Sequence, residues 1–516
     1  MNRDRALAAI RDAEFDFVVI GGGATGLGIA VDAAARGYRV ALLERHDFAK
    51  GTSSRSTKLV HGGVRYLKQG NVPLVLEALR ERGLLTRNAP HLVGSLEFVI
   101  PVYHWWDGPF YGIGMKVYDA LAGRLGLQPS RILSREETLA AIPNVEPQGL
   151  LRGVSYHDGQ FDDARLAVNL AQTCTDHGGF AVNYVEVTGL IREHGRIRGV
   201  EARDAESGET FPVRARVTIN ATGVFCDSIR RMEQPEAREI VTFSQGVHLV
   251  LPRRFLPGSS AIMVPHTEDG RVLFAVPWND RVVVGTTDTP VPVASAEPRA
   301  LEEEIAFLMT HAARYLDADP QPRDVLSLFA GLRPLLRGSG GKATAALSRD
   351  HAVVISEGGL LTVTGGKWTT YRQMAEEAVD AAETLGGYEP RPCPTRSLAI
   401  HGATDERPPD PALSAYGSDA PAIVARIRAR PELGHPVHHR LPLTGAAVLH
   451  AVEHEMARTV EDLLSRRTRA LLLDARSSIE AAPAVAALMA TALGRDPSWE
   501  SDQARTYHAL AQGYLL

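Results

Sequence analysis

Cysteine is nearly absent. The 516 residues hold three, Cys174, Cys226 and Cys393, and none has the spacing of a metal-ligand pair or a redox motif. So sparse and odd a set excludes a disulfide scaffold and fits a reducing compartment. Lysine is scarce too, at positions 50, 58, 68, 116, 342 and 367 only, so arginine carries most of the positive charge. A net charge of −5 and a pI near 6.4 leave no basic field for nucleic acid. No apolar run is long enough to cross a bilayer; the longest, "AAPAVAALMATALG" at 481–494, is short and rich in alanine. The N-terminus "MNRDRALAAIRDAEFDFVVIGGG" lacks the apolar core of a secretory signal, which predicts a cytosolic chain or one attached to a membrane without crossing it. With 44% apolar residues, the length predicts two or three compact units with sizeable cores.

The first positive signal is "DFVVIGGGATGLGIAVDAAARGYRVALLE" at 16–44, which reads as strand, glycine turn, helix and strand. Gly21, Gly23 and Gly26 fit G-x-G-x-x-G, and Glu44 ends the second strand. Such glycines let the backbone approach a pyrophosphate, whose charge sits at the positive end of the helix. Glu44 is placed to accept hydrogen bonds from an adenosine ribose and would repel a 2′-phosphate. The motif alone does not separate FAD from NAD. The chain then departs from the pattern of an NAD enzyme, entering "GTSSRSTKLVHGGVRYL" at 51–67, which has neither helical nor strand periodicity. Thr52, Ser53, Ser54, Ser56 and Thr57 can donate to phosphates and a flavin edge, and Gly62 and Gly63 allow close approach to a flat ring. His61, Arg65 and Tyr66 follow at once, the layout of a flavin site open on one face.

These stretches resemble the FAD-dependent glycerol-3-phosphate dehydrogenases, within the D-amino-acid-oxidase-like flavoproteins. The resemblance continues in order through "YHDGQFDDARL", "INATG", "GTTDT", "GLRPLL", "SRDHAV" and "GGKWTTYR", and "HEMARTVEDLLSRRTR" resembles the family's C-terminal helical domain. It implies FAD as cofactor, noncovalently bound, with Ala221, Thr222 and Gly223 passing the adenosine side. Gly365, Gly366, Lys367 and Thr369 would open a helix whose N-terminus faces the flavin's N1–C2=O edge. It also implies oxidation of sn-glycerol 3-phosphate to dihydroxyacetone phosphate, with electrons passed to a membrane quinone. A dianionic phosphate calls for arginines with bidentate geometry. Arg333 and Arg349 are the expected phosphate ligands, and Arg65 is placed to polarise the C2 oxygen. The base that takes the C2 hydroxyl proton is one of His61, His248, Tyr66 or Lys367, a choice the sequence leaves open. Lys367 and Tyr66 could instead orient that hydroxyl. Asp288 in "GTTDT" is either a turn cap or a site residue. The family often has lysine before "GVH"; Gln245 stands there, which predicts one positive charge fewer beside the substrate.

The expected architecture is α/β and α+β. A Rossmann-like FAD domain is expected from 14–90, 150–228 and 328–388, and an antiparallel-sheet substrate domain from 91–149 and 229–327. A Gly/Pro-dense linker at 386–397 leads to a C-terminal helical domain at 395–516, where Val448, Val452, Met456, Val460 and Leu463 form an apolar helical stripe. At 102–127, Trp105, Trp106, Phe110 and Tyr111 precede a helix with Phe110, Ile113, Val117, Leu121 and Leu125 on one face and Lys116 and Arg124 off it. This is either a buried helix or a peripheral anchor on the inner face of the cell membrane. A homodimer, no metal and no nucleic acid complete the expectation. The rival readings are an oxidase of the same fold that uses O₂ on glycerol phosphate or an amino acid, and a flavoprotein without catalysis.

Overall fold

In the computed structural model, all residues are described except 12, 64–70, 105–106, 265–271, 338–350, 407 and 409; for 107–111, 113 and 124 only the backbone is described. Two sheets organise the chain. The first has eight strands. Its centre is parallel: Leu360–Gly365, Thr210–Asn220, Glu14–Ile20, Val40–Leu43 and Phe180–Val182 lie side by side in that order. Parallel strands are covered on both faces, and "FVVI" at 17–20 is accordingly an unbroken buried run. Helices Ala24–Ala35 and Tyr371–Gly386 pack together against this sheet. They touch closely because Gly28 has no side chain: a Cβ there would lie 2.8 Å from the Tyr371 ring.

The second sheet has ten strands and is largely antiparallel. One of its two ten-residue pairings joins Val241–Pro252 to Ser327–Leu336, from Val241 opposite Leu336 to Val250 opposite Ser327. Strand Arg152–Phe161 pairs with Val93–Val102 in the second sheet, and Ser327–Leu336 lies there as well, although both were expected in the FAD domain. An apolar strand shows its buried face in sequence, but not the strand it will pair with.

The C-terminal unit is built from helices Ala420–Ala429, Gly445–His454, Ala475–Leu493 and Pro497–Ala511 around a core they share with Val250, Trp278, Val283 and Phe329 of the second sheet. The expected stripe is buried except at Val452, which is half-exposed, but it is not one helix. The first segment ends at His454 and turns through Met456 at φ 54°. The turn sits where Glu455 is drawn into a buried ion pair with Arg165 at 2.7 Å. The linker is not a free tether either: Arg391 stacks on Tyr38 at 4.1 Å, and the Cys393 thiol bonds Asp32 at 3.1 Å.

Three buried arginines dock this unit onto the rest. Arg466 and Arg467 both grip the fully buried Asp47, at 2.5 and 2.7 Å. Arg469 reaches Asp163 at 2.9 Å and the carbonyl of Ser54 at 2.8 Å. Breaking such a pair strands a buried charge, so each contact strongly fixes the docking geometry. Among the described residues, no helix is long and apolar enough to cross a membrane.

Candidate active site

The four parallel strands ending at Ile20, Leu43, Asn220 and Gly365 bring the expected nucleotide residues to one edge. Gly21 N–H donates to Leu43 O and Ala221 N–H to Ile20 O, each at 2.9 Å. Gly21 has φ 108°, and a Cβ on Gly26 would sit 1.9 Å from the Gly21 carbonyl oxygen. Only glycine fits this turn. Helix Ala24–Ala35 starts at Gly23 with no side-chain cap of its own, so its free N–H groups face the turn. Ser53 Oγ approaches that end and accepts from Ala24 N–H at 2.9 Å. The Glu44 carboxylate accepts from Gly22 N–H at 2.6 Å and His46 N–H at 2.8 Å. Burial pushes its pKa up, while these two donors favour the charged form. A glycine cradle, a helix end with no cap from Gly23 and a carboxylate at the end of the second strand fit a dinucleotide of the FAD type.

Residues 52–63 form a strip between the two sheets, which accounts for their composition. Thr52 Oγ1 donates to Leu332 O at 2.5 Å, and the Ser53 carbonyl accepts from Trp368 Nε1 at 2.9 Å. Thr57 Oγ1 lies 2.9 Å from His248 Nε2. His61 N–H donates to Thr369 Oγ1 at 3.3 Å, joining the strip to the turn at Gly365 and Gly366, both at positive φ. Gly62 is enclosed: its N–H donates to Tyr118 Oη at 2.9 Å, and a Cβ there would be 2.5 Å from both Tyr118 Oη and Leu79. Gly63 has φ 74°. Lys367 is half-buried just ahead of the 3₁₀ turn Trp368–Thr370, from which helix Tyr371–Gly386 continues. The helix therefore begins slightly later than its glycine turn implied.

The wall opposite comes from the second sheet. Along Val241–Pro252 the side chains alternate, so Ser244, Gly246 and His248 share one face. On the adjoining strand Arg333 lies opposite Ser244 and Phe329 opposite His248. The Arg333 guanidinium lies over Gly246, where a Cβ would be 2.3 Å from its Nη2. It donates to Thr287 O and Thr286 Oγ1, each at 3.1 Å, and Asp288 lies 3.8 Å away. Asp288 also accepts a hydrogen bond from Ser244, so it belongs to the arginine's setting rather than to a bare turn. His248 stacks on Phe329 at 4.8 Å and 12°. Burial, together with the Lys58 and Arg333 charges, holds its pKa well below the ordinary histidine value.

Gln245 corrects an expectation. It lies on the opposite face of the strand from His248, where its Nε2 donates to Glu304 at 2.7 Å and to Arg299 O at 2.9 Å. With the pleat turning it away, this position removes no charge from the Arg333 side. Arg65, Tyr66 and Arg349 lie outside the described residues. Sequence reasoning passed over Lys58, which is completely buried behind Thr57, as well as Thr286, Thr287 and Phe329. The signal for Lys58 was present: a lysine in a lysine-poor chain, inside the most unusual segment.

A family model described as FAD dependent oxidoreductase matches residues 16–372, and one described as the C-terminal domain of alpha-glycerophosphate oxidase matches 362–500. The mitochondrial glycerol-3-phosphate dehydrogenase of Homo sapiens is 39% identical over 550 residues, covering 100% of this chain and 75% of that protein. The mitochondrial enzyme of Arabidopsis thaliana is 39% identical over 553 residues, covering 99% and 87%. The crystal structure of the glycerol-3-phosphate dehydrogenase from Bacillus halodurans complexed with FAD superposes with a TM-score of 0.81 at 28% identity, covering 99% of this chain and 97% of that one. The L-alpha-glycerophosphate oxidase of Mycoplasma pneumoniae shares the fold more distantly, with a TM-score of 0.59 at 19% identity. With its glycine cradle, its C-terminal unit and full-length identity to these enzymes, the chain belongs to the FAD-dependent glycerol-3-phosphate dehydrogenases.

Proposed function

We infer that this chain oxidises sn-glycerol 3-phosphate to dihydroxyacetone phosphate and passes the electrons to a membrane quinone. The observation that carries the substrate is the shared face of strand Val241–Pro252, where Arg333 lies over Gly246 two positions from His248. Arg333 holds the phosphate, with Asp288, Thr286 and Thr287 fixing the direction of its fork. Arg349, on sequence grounds, is its partner at the phosphate, and Arg65 and Tyr66 hold the C2 hydroxyl. His248 takes the hydroxyl proton. In its favour are its neutral state and its place beside the arginine. His61 and Lys367, on the glycine-turn side of the strip, orient the substrate's C2 end. FAD, when bound by Gly21–Gly26, Glu44, the 52–63 strip, Ala221–Gly223 and Gly365–Thr369, supplies the hydride acceptor. Turnover of sn-glycerol 3-phosphate with a water-soluble quinone, but not with the sn-1 enantiomer, tests the reading. Equal rates with O₂ alone would favour the oxidase alternative.

The membrane contact is assigned to the helix Asp107–Ala122 and the neighbouring strand Arg131–Leu133. This helix buries Met115 and Tyr118, yet Val117 is 44% exposed and Ile132 is 56% exposed. They line an apolar groove of about 520 Å³ whose rim carries Lys116 and Arg131. Apolar side chains beside exposed cations suit the headgroup zone of an anionic bilayer. Trp105 and Trp106, immediately before this helix in sequence, lie outside the described residues. Replacing Val117 and Ile132 together by Ser should weaken binding to phosphatidylglycerol vesicles roughly thirtyfold, at ~1 kcal/mol for each of the two interfacial side chains. Quinone-linked activity on vesicles should fall with it, and activity with a soluble dye should not. Unchanged vesicle binding would move the contact elsewhere.

A further inference from the structure

The strip at 52–58 is fixed from behind by a charge cluster that the reaction described above does not use. Lys58 is fully buried at φ 65°, and its Nζ donates to Asp163 at 2.7 Å and to Ser54 O at 3.0 Å. Asp163, also fully buried, accepts from Ser56 N–H at 3.0 Å, Ser56 Oγ at 2.7 Å and Arg469 at 2.9 Å. Arg469 comes from the C-terminal unit and also holds Ser54 O. Both cations meet Asp163, and Arg469 also lies 3.6 Å from Asp162, which leaves the buried Lys58 ammonium directly behind Thr57. The Lys58 ammonium lies 5.1 Å from the centre of the Phe329 ring, on which His248 is stacked. A buried ammonium is costly even when paired, and simpler packing would hold a loop as well.

We propose that Lys58 is a positioning residue for His248: clamped by Asp163 and by Arg469 of the C-terminal unit, it holds Thr57 Oγ1 on His248 Nε2 and keeps a fixed positive charge near that ring. The inference rests on His248 as the proton acceptor. Among the described residues, the charged groups that act on His248 are Lys58 from the strip, Arg333 from the neighbouring strand and Asp163 from helix Asp163–Asp176, while strand Arg281–Gly285 lays Gly285 against the ring. A nearby cation disfavours imidazolium, so His248 stays neutral to lower pH. Burial and Arg469 in turn bring the Lys58 pKa down to about 8, against the pull of Asp163. The C-terminal unit therefore acts on the chemistry through Arg469, without touching the substrate.

The experiment compares Lys58→Met, Lys58→Arg and Thr57→Val in the full-length holoenzyme. The Met variant removes the ammonium next to Thr57 but leaves Asp163 paired with Arg469. Removing a cation raises the His248 pKa, so the acid limb of the kcat/KM profile should move up by about one pH unit. Histidine-selective NMR titration of the resting protein, with His248→Gln to identify the signal, should show the same shift. Arg at position 58 should return the limb toward its original place. Thr57→Val, which keeps the charge, should lower kcat roughly tenfold with the KM for glycerol 3-phosphate changed less than twofold. Should Lys58→Met fail to fold, Lys58→Gln, which removes the charge but keeps a donor for Asp163 and Ser54 O, and Thr57→Val carry the same two readouts. An unmoved titration and acid limb, or unchanged kcat in Thr57→Val, overturns the proposal. If His248→Gln is itself fully active, the acceptor assignment fails, and the NMR shift alone then decides whether Lys58 acts on the ring.

Discussion

Gly26→Ala should produce a protein that purifies without flavin. The added Cβ would lie 1.9 Å from the Gly21 carbonyl oxygen, which is backbone and cannot swing aside. The helix cannot retreat: Leu27, Ile29 and Ala30 are fully buried, and Gly28 is pressed against Tyr371. The turn must open, and with it the N–H groups that meet a pyrophosphate. Strain of ~3 kcal/mol or more at such a position weakens FAD binding by on the order of a hundredfold or beyond. The measurement is the flavin-to-protein absorbance ratio after desalting. Gly94→Ala is the control, because a Cβ there meets nothing within 4 Å. Full flavin content in Gly26→Ala would remove the cradle from the account.

Arg333→Ala should raise the KM for glycerol 3-phosphate tenfold or more, since losing a charged hydrogen bond costs ~1.5–3 kcal/mol. Lys at the same position should restore only part, because a single ammonium cannot reproduce the fork. Gly246→Ala should act in the same direction with Arg333 still present. Its Cβ would be 2.3 Å from the guanidinium Nη2 and 2.7 Å from Thr286 Oγ1, so the arginine must leave its seat. Unchanged kinetics in both Arg333→Ala and Gly246→Ala would take the phosphate away from this face. If Arg333→Ala alone has an effect, the arginine binds the phosphate from a different position.

The sequence showed the nucleotide end well because that end is local. A run of apolar residues, three glycines and an acid at fixed spacing dictate the turn with little help from the rest of the chain. The substrate wall was less legible. His248 and Arg333 sit in recognisable motifs, but their shared face follows from the pairing of two strands far apart in sequence. The same pairing sends Gln245 to the other side, which its place in the motif did not reveal. The scarcity of lysine marks Lys58 in the sequence, but its partners emerge only once Asp163 and Arg469 are brought to it from distant segments. The sheet that strands Arg152–Phe161 and Ser327–Leu336 join is illegible for a related reason: an apolar strand does not name its distant partner. The helix at Asp107–Ala122 shows a further limit, since helical spacing marks an apolar stripe without saying whether protein or lipid covers it.

Anaerobic mixing of the purified, flavin-loaded protein with sn-glycerol 3-phosphate tests the central claim most directly. The oxidised flavin's visible absorbance should bleach within one turnover and dihydroxyacetone phosphate should appear in equal amount. A water-soluble quinone should then restore the colour. A flavin that stays oxidised with sn-glycerol 3-phosphate, yet bleaches with dithionite, would contradict the account.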